Sequence, residues 1–191
     1  ITSRILRAMS NKNVVLVVGT GTIGEPLIGL LTALREKCNI DELLFYKRTP
    51  LLHEVSKVES LCRRGAKLVV QNDELREEFE ELGHSVYTTL DKALATSKVV
   101  IDCTPAGNAN KQLFYEQSLE ANSDQLFIAQ GSEKGFGVPY ALGINDKVLK
   151  KEHSFVQIVS CNTHTIARLI LALGRGSRGM VGDFVCIRRA N

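Results

Sequence analysis

At 191 residues, 44% of them apolar, the chain can bury one good core and a piece of another, which excludes a disordered tail. The formal charge of +3 comes from lysines and arginines scattered among acids, which argues against nucleic acid and a membrane surface as partners. No uninterrupted apolar run approaches the ~20 residues of a membrane span, no signal-peptide shape opens the chain, and five cysteines without a CxxC pair point to free thiols in a reducing, cytoplasmic compartment.

Residues 1–13 read as an N-terminal extension. The run Val14–Val18 is continuously apolar, as a central strand covered on both faces must be. Ile23, Leu27, Leu30, Leu31 and Leu34 then recur at helical spacing. Residues 43–46 read as a second strand, with Asp41 and Glu42 before it, residues 52–64 as a helix, and Lys67–Val70 as a third strand. Residues 74–82 carry five glutamates, yet Leu75, Phe79 and Leu82 share one helical face, so the acids mark a solvated amphipathic helix. Strands follow at residues 86–87, 99–102 and 126–129, separated by helices beginning near Asp91 and Asn110. Residues 155–159 lead into Ser160-Cys161-Asn162-Thr163, and Ile166, Leu169, Ile170 and Leu173 mark a helix that Gly174 ends. A basic, glycine-rich loop from Arg175 to Gly179 precedes a last strand at residues 183–188. The alternation predicts an α/β fold with a doubly wound, mostly parallel Rossmann-type sheet, followed by the beginning of an α+β catalytic domain. The expected division is a dinucleotide-binding domain over residues 14–152 and the start of a catalytic domain, incomplete here, over residues 153–191.

Gly19-Thr20-Gly21-Thr22-Ile23-Gly24 forms a GxGxxG motif directly after a strand and at the opening of a helix. The first glycine permits a tight turn, the second lets backbone approach a pyrophosphate, and the third lets helix and strand pack closely. Free N–H groups at the helix start suit the anion. An acidic residue at the end of the second strand would hold the ribose of NAD. Lys47-Arg48-Thr49 stands there instead, and two cations with a hydroxyl favour the 2′-phosphate of NADP.

Cys161 is the candidate nucleophile, because the start of a helix, with its dipole and unpaired N–H groups, favours a thiolate. Ser160 suits an N-cap, and Asn162 and Thr163 surround the sulfur with polar groups. Cys38, Cys62, Cys103 and Cys186 read as inert core thiols. His164 follows Cys161 by three residues, on the same side of a helix, but a first-turn histidine ordinarily meets solvent or a backbone acceptor. His53, His84 and His153 read as surface residues, and the absence of a dense Cys/His cluster argues against a metal site.

In order along the chain stand GTGTIG, Lys47-Arg48-Thr49-Pro50, Asp102-Cys103-Thr104-Pro105-Ala106-Gly107, Gln130-Gly131-Ser132-Glu133-Lys134, Ser160-Cys161-Asn162-Thr163 and Ile187-Arg188-Arg189-Ala190. From about residue 14 onward this succession resembles the N-terminal portion of archaeal-type (type II) phosphorylating glyceraldehyde-3-phosphate dehydrogenase. The resemblance implies a dinucleotide, NADP or NAD, held by the glycine motif, by Lys47, Arg48 and Thr49, and by Thr104, Pro105, Gly107 and Gly131. It implies Cys161 as the catalytic cysteine, with Ser160, Asn162, Thr163, Arg168 and Arg189 binding a small phosphorylated aldehyde and inorganic phosphate. The implied reaction is oxidative phosphorylation of glyceraldehyde 3-phosphate through a cysteine thiohemiacetal and a thioester, in a homotetramer.

The sequence departs from the family at several points. His164-Thr165-Ile166 replaces Thr-Gly-Leu after the cysteine turn, Ser132 replaces a glycine, and Arg48 intervenes between the lysine and threonine of the cofactor turn. The family's catalytic histidine falls beyond Asn191, and the chain starts at Ile1 instead of Met, so a fragment without its general base is expected. Two alternatives stand beside this reading. One is a catalytically silent dinucleotide-binding fragment. The other is a semialdehyde dehydrogenase of the aspartate-semialdehyde type, in which asparagine precedes the cysteine, whereas Asn162 follows it here.

Overall fold

The computed structural model describes residues 12–130, 134–174, 179, 181–185 and 187. It contains one sheet of eight strands in the order β4-β3-β2-β1-β5-β6-β8-β7, every neighbouring pair parallel. The fold is Rossmann-like α/β, as the alternation predicts.

β1 (Val14–Val18) buries all five side chains, since a parallel central strand has helices on both faces. α1 (Gly24–Ala33) follows and returns the chain to β2 (Glu42–Tyr46). Glu42 belongs to the strand and does not precede it as expected, because its backbone pairs in register with Val14 of β1; its carboxylate gathers Lys12, Lys67 and the Tyr87 hydroxyl. The helix expected over residues 52–64 divides into a 3-10 turn (Leu52–Glu54) and α2 (Val55–Arg63). β3 (Lys67–Val70) leads to α3 (Asp73–Glu81), which the Asn72 side chain caps by accepting the Leu75 N–H at 3.1 Å. β4 (Val86–Thr89) runs two residues longer than expected, and α4 (Leu90–Thr96) crosses back to the other face of the sheet.

β5 (Val99–Asp102) lies on the far side of β1 from β2, so the sheet reverses its winding between β1 and β5. After it come α5 (Gly107–Asn110), a π turn (Lys111–Tyr115) and α6 (Glu116–Ala121), then β6 (Leu126–Gln130). β7 (Val138–Tyr140) is absent from the sequence reading. It has three residues, one of them Pro139, and such a strand is confined to a sheet edge. A 3-10 turn (Asp146–Val148) precedes β8 (Phe155–Ile158), which inserts between β6 and β7, so the hydrogen-bonded layer continues past residue 152. α7 (Cys161–Leu173) completes the described helices, and Gly174 ends it at φ −77°, without a left-handed turn.

Alternate side chains of the strands feed two apolar layers. Leu16, Leu44, Val69, Val100 and Phe127 pack with Leu90, Ala93, Tyr115 and Phe136 on one face. Val15, Val17, Phe45 and Leu68 pack with Ile28, Val58, Leu61 and Phe79 on the other. Three sequence expectations change. His84 is buried and not a surface residue, held beside the Phe79 ring with its N–H bonded to the Phe79 carbonyl at 3.0 Å. Cys38 is exposed and not a core thiol, because it lies in the turn after α1. The strand expected over residues 183–188 is not formed by residues 183–185 or 187, which pair with no strand; Cys186 and Arg188 lie outside the described residues. So do Gly131, Ser132 and Arg189.

Candidate active site

In a parallel sheet every strand ends at the same edge, and the crevice opens where the winding reverses. Here that point is the gap between the ends of β1 and β5. Gly19, at φ +96°, turns the chain out of β1, and its N–H donates to the Tyr46 carbonyl at 3.2 Å. A Cβ on Gly24 would sit 2.0 Å from the Gly19 carbonyl oxygen, so only glycine lets α1 start this close to the strand. A Cβ on Gly21 would meet nothing within 4 Å. The middle glycine therefore faces the open space that a pyrophosphate needs, while the third meets packed backbone. Thr20 is buried, and Thr22 and Ile23 are exposed at the mouth of the turn. The residues present thus fit a dinucleotide phosphate.

The opposite lip of the crevice is organised by Asp102, a buried carboxylate at the end of β5. Its Oδ1 accepts the Thr104 N–H and hydroxyl, each at 2.7 Å. Its Oδ2 accepts the Tyr115 hydroxyl at 2.7 Å and the Asn110 amide at 2.8 Å. These four bonds fix the turn that carries Thr104, exposed Pro105 and buried Gly107. The Thr104 methyl lies 3.0 Å from where a Gly19 Cβ would be, so the two turns touch. Burial, with the Asp102 charge beside it, pushes the Cys103 thiol up to about 12 and raises the Tyr115 phenol well above its ordinary range. The sequence reading gave Asp102, Asn110 and Tyr115 no role; the available signal was an acid closing an otherwise apolar strand.

At the end of β2 the two cations part company. Lys47 is buried and paired with Glu54, whereas Arg48 and Thr49 are exposed. Glu54 also accepts from Lys57 at 2.6 Å, and hydrogen bonds from the two lysines hold its carboxyl down at about 2. Lys57 reaches the Thr20 carbonyl at 3.5 Å and Glu25 at 3.8 Å, which ties this ion-pair cluster to the phosphate turn. Glu54 and Lys57 were not singled out from sequence, since nothing local marks their convergence on Lys47.

Cys161 opens α7 and is exposed. Ser160 is the N-cap, its hydroxyl oxygen accepting the Thr163 N–H at 3.3 Å and lying 2.9 Å from the Thr163 hydroxyl. The Cys161 sulfur is 4.0 Å from the Asn162 amide oxygen. Cys161, Thr165, Arg168, Leu169 and Ala172 share one face of α7, beside an open space of about 810 Å³. The His164 Nε2 lies 3.1 Å from the Leu142 carbonyl oxygen, a backbone acceptor of the kind the sequence reading foresaw. Arg168 rests against Gly143, where a Cβ would meet its Nη2 at 3.0 Å. Asp146, held below the usual carboxylate range by the Gly143 N–H and the Tyr140 hydroxyl, also feels the Arg168 charge.

No protein-family model matches the chain. Curated proteins do. Over 162 residues it is 31% identical to the glyceraldehyde-3-phosphate dehydrogenase of Pyrococcus abyssi, covering 82% of this chain and 44% of that protein. It is 30% identical over 162 residues to the enzyme of the same name from Pyrobaculum calidifontis, covering 82% and 43%. The chain resembles the N-terminal portion of archaeal-type glyceraldehyde-3-phosphate dehydrogenase. To the enzyme of that name from Archaeoglobus fulgidus it is 36% identical over 120 residues, 59% of this chain and 33% of that one. The chain therefore spans less than half the length of the curated glyceraldehyde-3-phosphate dehydrogenases it matches. No helix among the described residues is long and apolar enough to cross a membrane.

Proposed function

We propose that this chain is the dinucleotide-binding portion of a phosphorylating glyceraldehyde-3-phosphate dehydrogenase, with residues 14–152 holding the cofactor and residues 153–191 starting the catalytic domain. The observation that carries the reading is the pairing of a fitted phosphate turn at the end of β1 with an exposed, N-terminally placed cysteine at the end of β8. Two strands, β5 and β6, separate these ends. Three strand spacings put them about 14 Å apart along one edge, a span that an extended dinucleotide can bridge.

Gly19, Gly21 and Gly24 would receive the pyrophosphate at the start of α1, with Thr20, Thr22 and Ile23 shaping the turn. Thr104, Pro105 and Gly107, on the turn that Asp102 anchors, would line the other lip, together with Gly131. NADP is favoured over NAD, with Arg48 and Thr49 as the exposed partners of the 2′-phosphate and Lys47 contributing from its buried pair with Glu54. When bound, the cofactor supplies a nicotinamide ring as hydride acceptor. The Cys161 sulfur would add to the aldehyde carbon and, after oxidation, carry the acyl group as a thioester that inorganic phosphate cleaves. Asn162 would orient the carbonyl oxygen, and Ser160, Thr163, Arg168 and Arg189 would bind the phosphate groups.

Titration of the chain with NADPH and NADH, followed by trapping of Cys161 with glyceraldehyde 3-phosphate, tests the reading. Tighter binding of NADPH and a mass increase at Cys161 are expected. Equal affinity for the two cofactors would remove the 2′-phosphate preference, and binding of neither would remove the dehydrogenase reading.

A further inference from the structure

The cofactor turn of this chain carries a positive charge that its own structure has already answered. Lys47 follows the last residue of β2, Tyr46, whose carbonyl accepts the Gly19 N–H, yet it is buried and ion-paired with Glu54. Glu54 accepts from Lys57 as well, at 2.6 Å, and Lys57 in turn reaches Glu25 at 3.8 Å. Two lysines against two glutamates leave this four-residue cluster with no net formal charge, beside the exposed Arg48. Lys57 lies 3.5 Å from the Thr20 carbonyl, so the neutral cluster adjoins the phosphate turn and is not a remote surface feature.

We propose that Glu54 sets the cofactor preference, its carboxylate masking Lys47 and thereby restraining affinity for a 2′-phosphorylated ribose. This rests on the dinucleotide reading above. Glu54 is 18% exposed at its side chain and Lys47 7%, so solvent screens their interaction weakly. A 2′-phosphate arriving at this corner meets exposed Arg48 as an attraction and the Glu54 carboxylate as a repulsion, while a ribose hydroxyl meets no comparable penalty. Glu54 acts through Lys47 and through its own charge; it performs no chemistry.

The test uses the 191-residue chain and two fragments of the cofactor, adenosine 2′,5′-bisphosphate and adenosine 5′-monophosphate, with binding measured calorimetrically. Glu54→Gln keeps the shape and removes the charge. It should tighten the bisphosphate about tenfold while leaving the monophosphate unchanged, as removal of one nearby unit charge predicts. Lys47→Met should move the ratio the other way, which keeps the idea testable if Glu54→Gln folds poorly by circular dichroism. An unchanged ratio in both folded variants, with both ligands still bound, would overturn the role of Glu54 and leave the dinucleotide reading standing. Failure of the wild-type chain to bind either ligand would overturn both.

Discussion

At the end of β1, in the middle of the sheet, Gly19 packs against both Gly24 and Thr104, and the Asp102 carboxylate satisfies four donors in the adjoining turn. At the β8 end, α7 buries none of its thirteen residues; Leu169, Ile170, Leu171 and Leu173 are all exposed. Both ends carry candidate chemistry, but they reach their geometry by different means. The phosphate turn is positioned by close contacts at Gly19 and Gly24 that leave no room for a Cβ. The cysteine turn is positioned by its own N-cap bond from the Thr163 N–H to Ser160 and by a second contact between the two hydroxyls. Close packing, including contact with Thr104 outside the turn, therefore dictates residue identity at Gly19 and Gly24, and local capping chemistry dictates it at the second site.

The largest effect expected from this contrast is in the core behind each end. The Phe127 ring is fully buried and stacks at 5.0 Å on both Tyr115 and Phe155. Phe127→Ala should cost about 3–5 kcal/mol in urea unfolding. Leu173→Ala on α7, where the side chain is 65% exposed, should stay within about 0.5 kcal/mol. Similar losses for the two would mean that α7 is covered in solution and would erase the contrast. Next come the glycines. Gly24→Ala forces a Cβ against the Gly19 carbonyl at 2.0 Å and should lower stability by about 3 kcal/mol and abolish dinucleotide binding. Gly21→Ala meets nothing within 4 Å, so unfolding should be unaffected while dinucleotide affinity falls. Equal destabilisation by the two substitutions would show that the middle glycine is also a packing residue.

The apolar pattern was enough to bound β1, β3 and β5 to the residue, because β1 is wholly apolar and buried and the apolar runs of β3 and β5 are bounded by Lys67 and Asp102. β7 escaped because three residues containing Pro139 hold no period, and its pairing with β8 is visible only in three dimensions. The same distinction holds at the site. Gly19, Gly21 and Gly24 were legible because their roles follow from spacing alone. The burial of Lys47 was not, since its partner Glu54 lies across a loop, at the end of a 3-10 turn, and no local pattern marks that return. His84 looked like a surface residue because the acidic helix before it is solvated, yet the turn after α3 carries it under the sheet beside Phe79.

His84 supplies a smaller, pH-dependent probe of the β3–β4 side, where it is buried beside Phe79. Burial lowers its pKa below the ordinary 6.5; Glu59 opposes the shift and Lys47 adds to it. The folded state therefore binds this proton less readily than the unfolded chain does. Stability from His84 is present above pH 6.5 and is lost as pH falls below it towards the lowered folded value. The urea midpoint should drop between pH 7.5 and pH 5.5 in the wild-type chain. His84→Gln should flatten that drop, because the Glu42 and Glu54 carboxyls, both lowered, remain ionised across the window. An equally steep decline in His84→Gln would assign the acid sensitivity to another group.

The thiols give the finest test, because chemistry at each sulfur reads local access without perturbing the fold. Cys38 and Cys161 are exposed, whereas Cys103 is buried beneath the phosphate turn, with burial and Asp102 raising its thiol to about 12. At pH 8 a thiol with that value has about one part in ten thousand as thiolate, so it is protected twice over, by ionisation and by access. Peptide mapping after brief iodoacetamide treatment should find Cys38 and Cys161 alkylated and Cys103 intact until denaturant is added. His164→Ala should leave the rate at Cys161 unchanged, because the imidazole is engaged with the Leu142 carbonyl. A marked loss of reactivity near neutral pH would instead make the histidine a partner of the sulfur, and the cysteine turn would then depend on a neighbour outside its own cap, as the phosphate turn does.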